Sequence, residues 1–332
     1  RERRSSVNDR TSAPEPGAVA LETGPTPLPR RIGPSDLHVF PLALSGTVFG
    51  WTADGPTTTG ILDRFAELGG TYIDTADSYA GGRSEIMIGN WMHGRGDRDA
   101  FTIATKVGKN PDNPGLSARS IERAVEQSLQ RLRVDAIDLL YLHIDDPSVP
   151  FDETLLAVDE LIRAGKVRYF GGSDHTGNRL IEARIAAAQS GVAHMVALQQ
   201  HYNLVHRAEY EAQLARVAAQ LDLGVMPRFA LASGFLSGKY RSRADLERHR
   251  RGGEVAAMLT RRNLRILHAL DRIASETQSA VATVSLAWLL SRPHVVAPVV
   301  SVSAPDQLDV AMAAPHLVLS RQQLTELDRV SE

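Results

Sequence analysis

The chain has 332 residues, 43% of them apolar and 23% charged, with a net charge of −2. That is the make-up of an ordinary globular protein large enough to bury a sizeable core, and its near-neutral balance gives no electrostatic reason to expect a nucleic-acid partner. With no cysteine, disulfides, thiolate nucleophiles and Cys-based metal sites are excluded together.

Arg1 to Arg10 is charged and has no apolar stretch of the secretory kind. No later run is apolar over the roughly 18 residues a membrane helix needs. A cytoplasmic location without membrane contact is therefore the expectation. Residues 1–30 read as a disordered tail, because Pro14, Pro16, Pro25, Pro27 and Pro29 break regular structure and large apolar residues are few.

From Arg31 the pattern becomes rhythmic. Short apolar runs occur at Val39–Ser45, Thr71–Ile73, Phe101–Thr105, Ile137–Leu142, Val167–Gly172, Met195–Leu198, Gly224–Pro227 and Val295–Val300. Amphipathic segments lie between them. Ile61, Leu62, Phe65 and Leu68 share one helical face that Gly69 ends, and Ile121, Ala124, Val125, Leu129 and Leu132 share another. Leu155, Leu156, Val158, Leu161 and Ile162 form a third, with Asp152 as the expected N-cap and Gly165 as the stop. Two more helical segments, near 254–276 and 320–331, follow.

Eight β/α alternations predict a parallel sheet, since parallel strands need crossover helices. It can be a closed barrel or an open doubly wound sheet. The open dinucleotide fold carries G-x-G-x-x-G after its first strand, and the chain has no such run. The expectation is an α/β protein, a (β/α)8 TIM barrel over residues 31–332 with extra C-terminal helices.

Barrel chemistry gathers where strands end. The second run ends in Asp74, with Tyr79 shortly after; the third in Lys106; the fourth in His143; the fifth in Ser173 and Asp174; the sixth in Gln199; the seventh in Arg228. Singly, each has a plain structural explanation. A lysine there is usually solvated, a tyrosine packs, a histidine is half-buried and an aspartate caps a turn. Together, three neighbouring strands would bring a carboxylate, an ammonium and an imidazole to one rim beside a phenol. A phenol with a pKa of about 10 is a poor acid at neutral pH. A nearby ammonium favours the phenolate, a carboxylate holds the ammonium, and a neutral histidine can orient a carbonyl oxygen.

On these residues the sequence resembles the aldo-keto reductases. Tyr72-Ile-Asp-Thr-Ala-Asp-Ser-Tyr79 is similar to the family's D-T-A-x-x-Y motif, Ala104-Thr-Lys106 to its lysine segment and Tyr141-Leu-His143 to its histidine segment. The resemblance implies a catalytic set of Asp74, Tyr79, Lys106 and His143, with Tyr79 as general acid. Gly172-Ser-Asp174, Gln199 with Tyr202-Asn-Leu204, and Ala232-Ser-Gly-Phe-Leu-Ser-Gly-Lys-Tyr240 resemble further family segments. They imply NADPH across the barrel mouth, with contacts from Thr47, Ser173, Asp174, Gln199, Arg228, Leu231, Ser233, Gly238, Lys239, Ser303 and Gln307. The implied reaction is reduction of a small-molecule aldehyde or ketone.

Several positions depart from the family pattern. Asp174 stands where the family has a carboxamide-binding Asn, and Arg228 where many members stack an aromatic on nicotinamide. Ala230 replaces a frequent Pro, Ala311 a frequent Asn, and Ser303 the Arg that clamps the 2′-phosphate; Gln307 keeps the pattern. Losing a bidentate clamp weakens NADPH preference, so NADH is the second choice, with Lys239 and Arg321 as basic residues that could substitute. Ile144, Asp145 and Asp146 after the histidine suggest a polar substrate such as a sugar, unless the two acids face solvent. Two other function classes remain: a slow or non-catalytic cofactor-binding regulatory protein on this fold, and a barrel glycoside hydrolase using Asp74, Asp145 and Asp146, which leaves Tyr79 and Lys106 unexplained. The His residues show no metal-binding spacing.

Overall fold

A computed structural model describes residues 27–248 and 252–332. Most of the expected tail, residues 1–26, lies outside the described residues. The chain enters through a hairpin of β1 (Arg30–Arg31) and β2 (His38–Val39). The Arg30 guanidinium is already tied to the Leu290 and Val295 carbonyls.

Eight parallel strands follow: β3 (Ala43–Ser45), β4 (Tyr72–Asp74), β5 (Thr102–Val107), β6 (Ile137–Leu142), β7 (Val167–Ser173), β8 (Ala197–His201), β9 (Gly224–Arg228) and β10 (Val299–Val300). They pair in sequence order, and β10 returns to pair with β3. The remaining seam closes through the bridge between Val225 and Val295. This is a (β/α)8 barrel. Among the described residues the helices are α1 (Gly55–Glu67), α2 (Arg83–His93), α3 (Ala118–Leu132), α4 (Phe151–Arg163), α5 (Gly177–Ser190), α6 (Ala215–Gln220), α7 (Arg243–Arg248), α8 (Gly252–Val255), α9 (Arg261–Glu276), α10 (Val281–Leu290), α11 (Gln307–Met312) and α12 (Arg321–Ser331).

The apolar runs predict more strand than forms, and prolines account for the difference. In Val39–Ser45, Pro41 separates β2 from β3; in Val295–Val300, Pro298 leaves only β10. A proline cannot donate to a strand ladder, so pairing breaks around it. Helix ends shift for similar local reasons. The α4 cap is Pro150 rather than Asp152, which lies in the first turn beside Glu153, where acids favour the helix dipole. The 254–276 segment splits because Thr260 caps α9, its Oγ1 accepting from the Asn263 N–H at 3.1 Å.

The pleat sorts each strand's residues onto two faces. Leu44, Ile73, Ile103, Leu140, Phe170, Leu198 and Val225 pack in the large core under the helices. Ala43, Tyr72, Ala104, Leu139, Tyr141, Ala197, Met226 and Val299 form a second core inside the barrel, sealed by Ile32, Leu37 and Val39 of the hairpin. The hairpin thus plugs the N-terminal end of the barrel and leaves the other end for the site.

Gly33 makes that plug possible. Its φ is +48°, and a Cβ there would lie 2.1 Å from the Val196 carbonyl and 2.8 Å from that of Asp222. Gly33→Ala is expected to cost about 2–3 kcal/mol in urea unfolding; an unchanged midpoint would remove the plug from the stability account.

Candidate active site

The same pleat decides which residues reach the mouth. Continuing the inward parity toward each strand's end gives Ser45, Asp74, Lys106, His143, Ser173, Gln199, Arg228 and Ser301, one from every strand. All are polar, while the inward residue directly below each is alanine, valine, methionine, tyrosine or glycine. At that junction Tyr72 and Tyr141 meet, hydroxyl to hydroxyl at 3.2 Å. Burial raises both phenols above their ordinary pKa, so the floor of the site is neutral.

On that floor sits a fully buried ion pair. The Lys106 ammonium donates to Asp74 Oδ2 at 2.5 Å and to the Thr75 carbonyl at 2.8 Å. The side chains are 0% and 1% exposed. Asp74 Oδ1 accepts from Gln199 Nε2 at 2.9 Å, across the mouth from β8. Burial, the largest single influence on Lys106, works against its charge, but Asp74 and Tyr79 together outweigh it and its pKa lies above the ordinary lysine value.

Tyr79 leaves β4 on a short 3₁₀ turn, followed by Ala80 at φ 50°, Gly81 at φ 64° and Gly82 at φ 87°. Ala80 is a non-glycine residue in the left-handed region, a local strain of the kind that clusters at functional sites. The Tyr79 ring centroid is 5.2 Å from Lys106 Nζ and 6.0 Å from the His143 ring, which meets it edge-on. His143 is pushed down to about 2, by burial first and then by Lys106, Lys109 and Arg228. It is a neutral imidazole at any working pH, and its buried Nδ1 has no hydrogen-bond partner among the described residues.

The two departures Asp174 and Arg228 are a single feature. Arg228 Nε donates to Asp174 Oδ1 at 2.9 Å. Asp174 is set by a left-handed backbone at φ 57° and by its N–H bonding the Gln199 carbonyl at 3.1 Å.

The remaining predicted residues line the rim. Ser173 is buried, and its hydroxyl makes no hydrogen bond among the described residues. Thr47 Oγ1 shares a hydrogen bond with Ser45 Oγ at 2.5 Å. Leu231, Ser233, Gly238 and Lys239 belong to the loop after β9, where Ala232, Ser233 and Gly234 are successively left-handed. A Cβ on Gly234 would meet Lys239 Cε at 2.9 Å, so a glycine there lets the lysine lie across the loop. Ser303 is bound by Gln307, whose amide oxygen accepts from the Ser303 N–H at 3.0 Å.

The acids after His143 do not form a polar pocket. Asp145 receives Arg179 Nε at 2.9 Å and 3.0 Å. Asp146 accepts from the Leu116 N–H at 2.9 Å and from the Ser148 hydroxyl at 2.5 Å. Both carboxylates are spent in holding loops, which removes the paired acids that a hydrolase would use and the support for a sugar-like substrate.

One residue that the sequence reading passed over is Asp77, inside the Asp74–Tyr79 segment. It is fully buried and neither carboxylate oxygen has a hydrogen-bond partner among the described residues. Burial raises its pKa to about 7, Glu85 adds to this, and Arg131 opposes it. Glu85 is itself bound by Arg131 Nε at 2.6 Å and the Thr105 hydroxyl at 2.5 Å. Nothing in the spacing marks Asp77, since its weight comes from α2 and α3 folding over it.

The sequence model of the aldo/keto reductase family matches residues 46–332. The chain belongs to that family. Norsolorinic acid reductase B of Aspergillus parasiticus is 29% identical to it, over 91% of this chain and 84% of that protein. The uncharacterized oxidoreductase YrpG of Bacillus subtilis is 31% identical, over 90% of this chain and 94% of that protein. A probable voltage-gated potassium channel subunit beta of Oryza sativa subsp. japonica is 30% identical, over 87% and 91%. Membership of the aldo/keto reductase family, with relatives named as reductases, supports an oxidoreductase role.

Asp77 gives a pH prediction. Its folded pKa is raised, so its favourable contribution is complete below the ordinary carboxyl pKa and is lost as pH rises through about 7. Asp77→Asn cannot acquire that charge. Relative to the parent it should gain stability as pH rises from about 4 to about 7, by at most about 4 kcal/mol in urea titrations. A pH-independent difference would show that folding does not raise the Asp77 pKa.

Proposed function

We propose that this protein is a nicotinamide-dependent carbonyl reductase in which Asp74, Tyr79, Lys106 and His143 are the catalytic set. The observation that carries the reading is the buried Lys106–Asp74 pair beside the Tyr79 ring, opposite a neutral His143. NADPH is the first choice of cofactor on family membership, and NADH the second.

The residues fit such a cofactor in three respects. The Ser173 hydroxyl has no partner among the described residues and suits a carboxamide. Asp174 is acceptor-only, so it would take the carboxamide N–H through the oxygen that Arg228 leaves. The Gly234 loop with Lys239 across it offers a close backbone and an ammonium to a pyrophosphate. Thr47, Leu231, Ser233, Gly238 and Gln307 complete the proposed contact set. At Ser303 no cation is hydrogen-bonded among the described residues, and nearby Arg64 is held by Asp309 and Glu67. This favours NADH more than family membership alone does.

When bound, the cofactor supplies a hydride to the carbonyl carbon. The chain's own residues manage the oxygen. His143, uncharged, donates a hydrogen bond that fixes the carbonyl oxygen within reach of Tyr79. Tyr79 gives up its hydroxyl proton as negative charge develops on that oxygen. Lys106 stabilises the phenolate left behind, and Asp74, held by Gln199, keeps the ammonium in place. The pair is dry, so its field on Tyr79 is little screened.

A second reading, a cofactor-binding regulatory subunit, is favoured by the likeness to a protein named as a probable channel subunit. Tyr79→Phe separates the two readings. Under the reductase reading it lowers kcat by about two to four orders of magnitude and leaves cofactor affinity, read by fluorescence titration, in place. Near-normal turnover would remove Tyr79 as the acid, and tight cofactor binding without turnover in the parent protein would favour the regulatory reading. Ser303→Arg is expected to tighten NADPH about tenfold more than NADH in the same titration; equal gains would place the 2′-phosphate elsewhere.

A further inference from the structure

We infer that the carbonyl substrate of this site carries a carboxylate, and that Lys109 and Arg228 bind it. The inference rests on the reductase reading and adds the substrate class.

The charges at the mouth do not balance. Asp74 is consumed by Lys106. Asp174 meets Arg228 through Nε alone, at 2.9 Å, and the two terminal guanidinium nitrogens make no hydrogen bond among the described residues. Lys109 has neither a hydrogen bond nor an ion pair there, and Asp145 and Asp146, the nearest acids in sequence to His143, are committed to Arg179 and to the Leu116 and Ser148 donors. Three cations thus stand over two carboxylates, with one positive charge and one guanidinium fork left for a ligand.

The topology places both groups at the mouth around His143. Lys109 lies two residues beyond Val107, which pairs with Leu142, the residue before His143. Its neighbour Gly108 packs on that turn, where a Cβ would touch Ile144 at 3.3 Å. Arg228 ends β9, four strands round from β5, so the two cations belong to opposite sides of the mouth. The Arg228 head lies over the exposed Phe229 ring at 4.8 Å, which keeps it at the rim. His143 and Lys109 both register these charges: Lys109 is held below its ordinary value, by burial first and then by Arg228 and Lys106, with Asp174 opposing. A planar guanidinium edge matches a carboxylate in geometry as well as in charge.

The test uses para-carboxybenzaldehyde and its neutral methyl ester, of nearly equal shape. Binding to the cofactor-loaded protein is measured by isothermal titration, and turnover in parallel. The free acid is expected to bind about tenfold more tightly and to show a kcat/KM higher by a similar factor. That ratio should fall toward unity in Lys109→Met and in Arg228→Met, and in the parent protein as salt is raised. Equal binding of acid and ester, or preference for the ester, overturns the proposal whatever the variants do. A preference for the acid without turnover of either aldehyde keeps the anion site and sinks the reductase reading alone.

Discussion

The Lys106–Asp74 pair is the constraint on which the rest of the molecule turns. Burying two charges costs several kcal/mol per ion unless every polar atom around them is used. Here the ammonium has Asp74 and the Thr75 carbonyl, and the second Asp74 oxygen has Gln199. That network draws on β4, β5 and β8, so it exists only when all three strands hold their register. A one-residue slip of any of them would turn its side chain out into the apolar layer under the helices. Barrel register and site assembly are therefore the same requirement, and the apolar partners of that register, Ile73, Ile103 and Leu198, enforce it from the other face.

This coupling explains how much of the molecule was legible beforehand. Strand number, order and the polar residue ending each strand follow from apolar runs and a period of two, which is local information. Asp74, Lys106, His143 and Gln199 could be read because each ends such a run. The short forms of β3 and β10 were also written in the sequence, at Pro41 and Pro298, but an apolar count overlooks a missing N–H. Other features needed the fold. Asp174 and Arg228 are 54 residues apart, and read singly each counts as a loss of a cofactor contact. Only the adjacency of strand ends shows that they hold one another. Asp77 was illegible for the opposite reason: its sequence neighbours say nothing, and its burial is imposed by α2 and α3.

The charge arrangement bears on the proposed chemistry. A proton donor beside an ammonium works only if the surroundings do not supply competing charge. The Tyr72–Tyr141 floor is neutral, and His143 stays neutral because burial and three nearby cations forbid its protonation. Below a pH of about 7, Asp77 is neutral as well, leaving Glu85 balanced by Arg131 beneath the site. Beside the Tyr79 ring stands the Lys106 ammonium, 5.2 Å from its centroid and held there by Asp74. Once Asp77 ionises, a second carboxylate joins Glu85 in this cluster.

The Asp174–Arg228 pair resolves a tension that either residue alone would create. A lone guanidinium at the rim would repel a cationic nicotinamide, and a lone carboxylate would repel an anionic substrate. Joined through Nε, they offset one another's charge and leave the two terminal guanidinium nitrogens without a hydrogen bond among the described residues. Lys109 then tips the balance of the opening to positive. Under the proposed function, a mouth built this way accepts both oxidation states of a nicotinamide while still drawing in an anionic carbonyl compound, because Asp174 offsets the guanidinium and Lys109 adds the net charge.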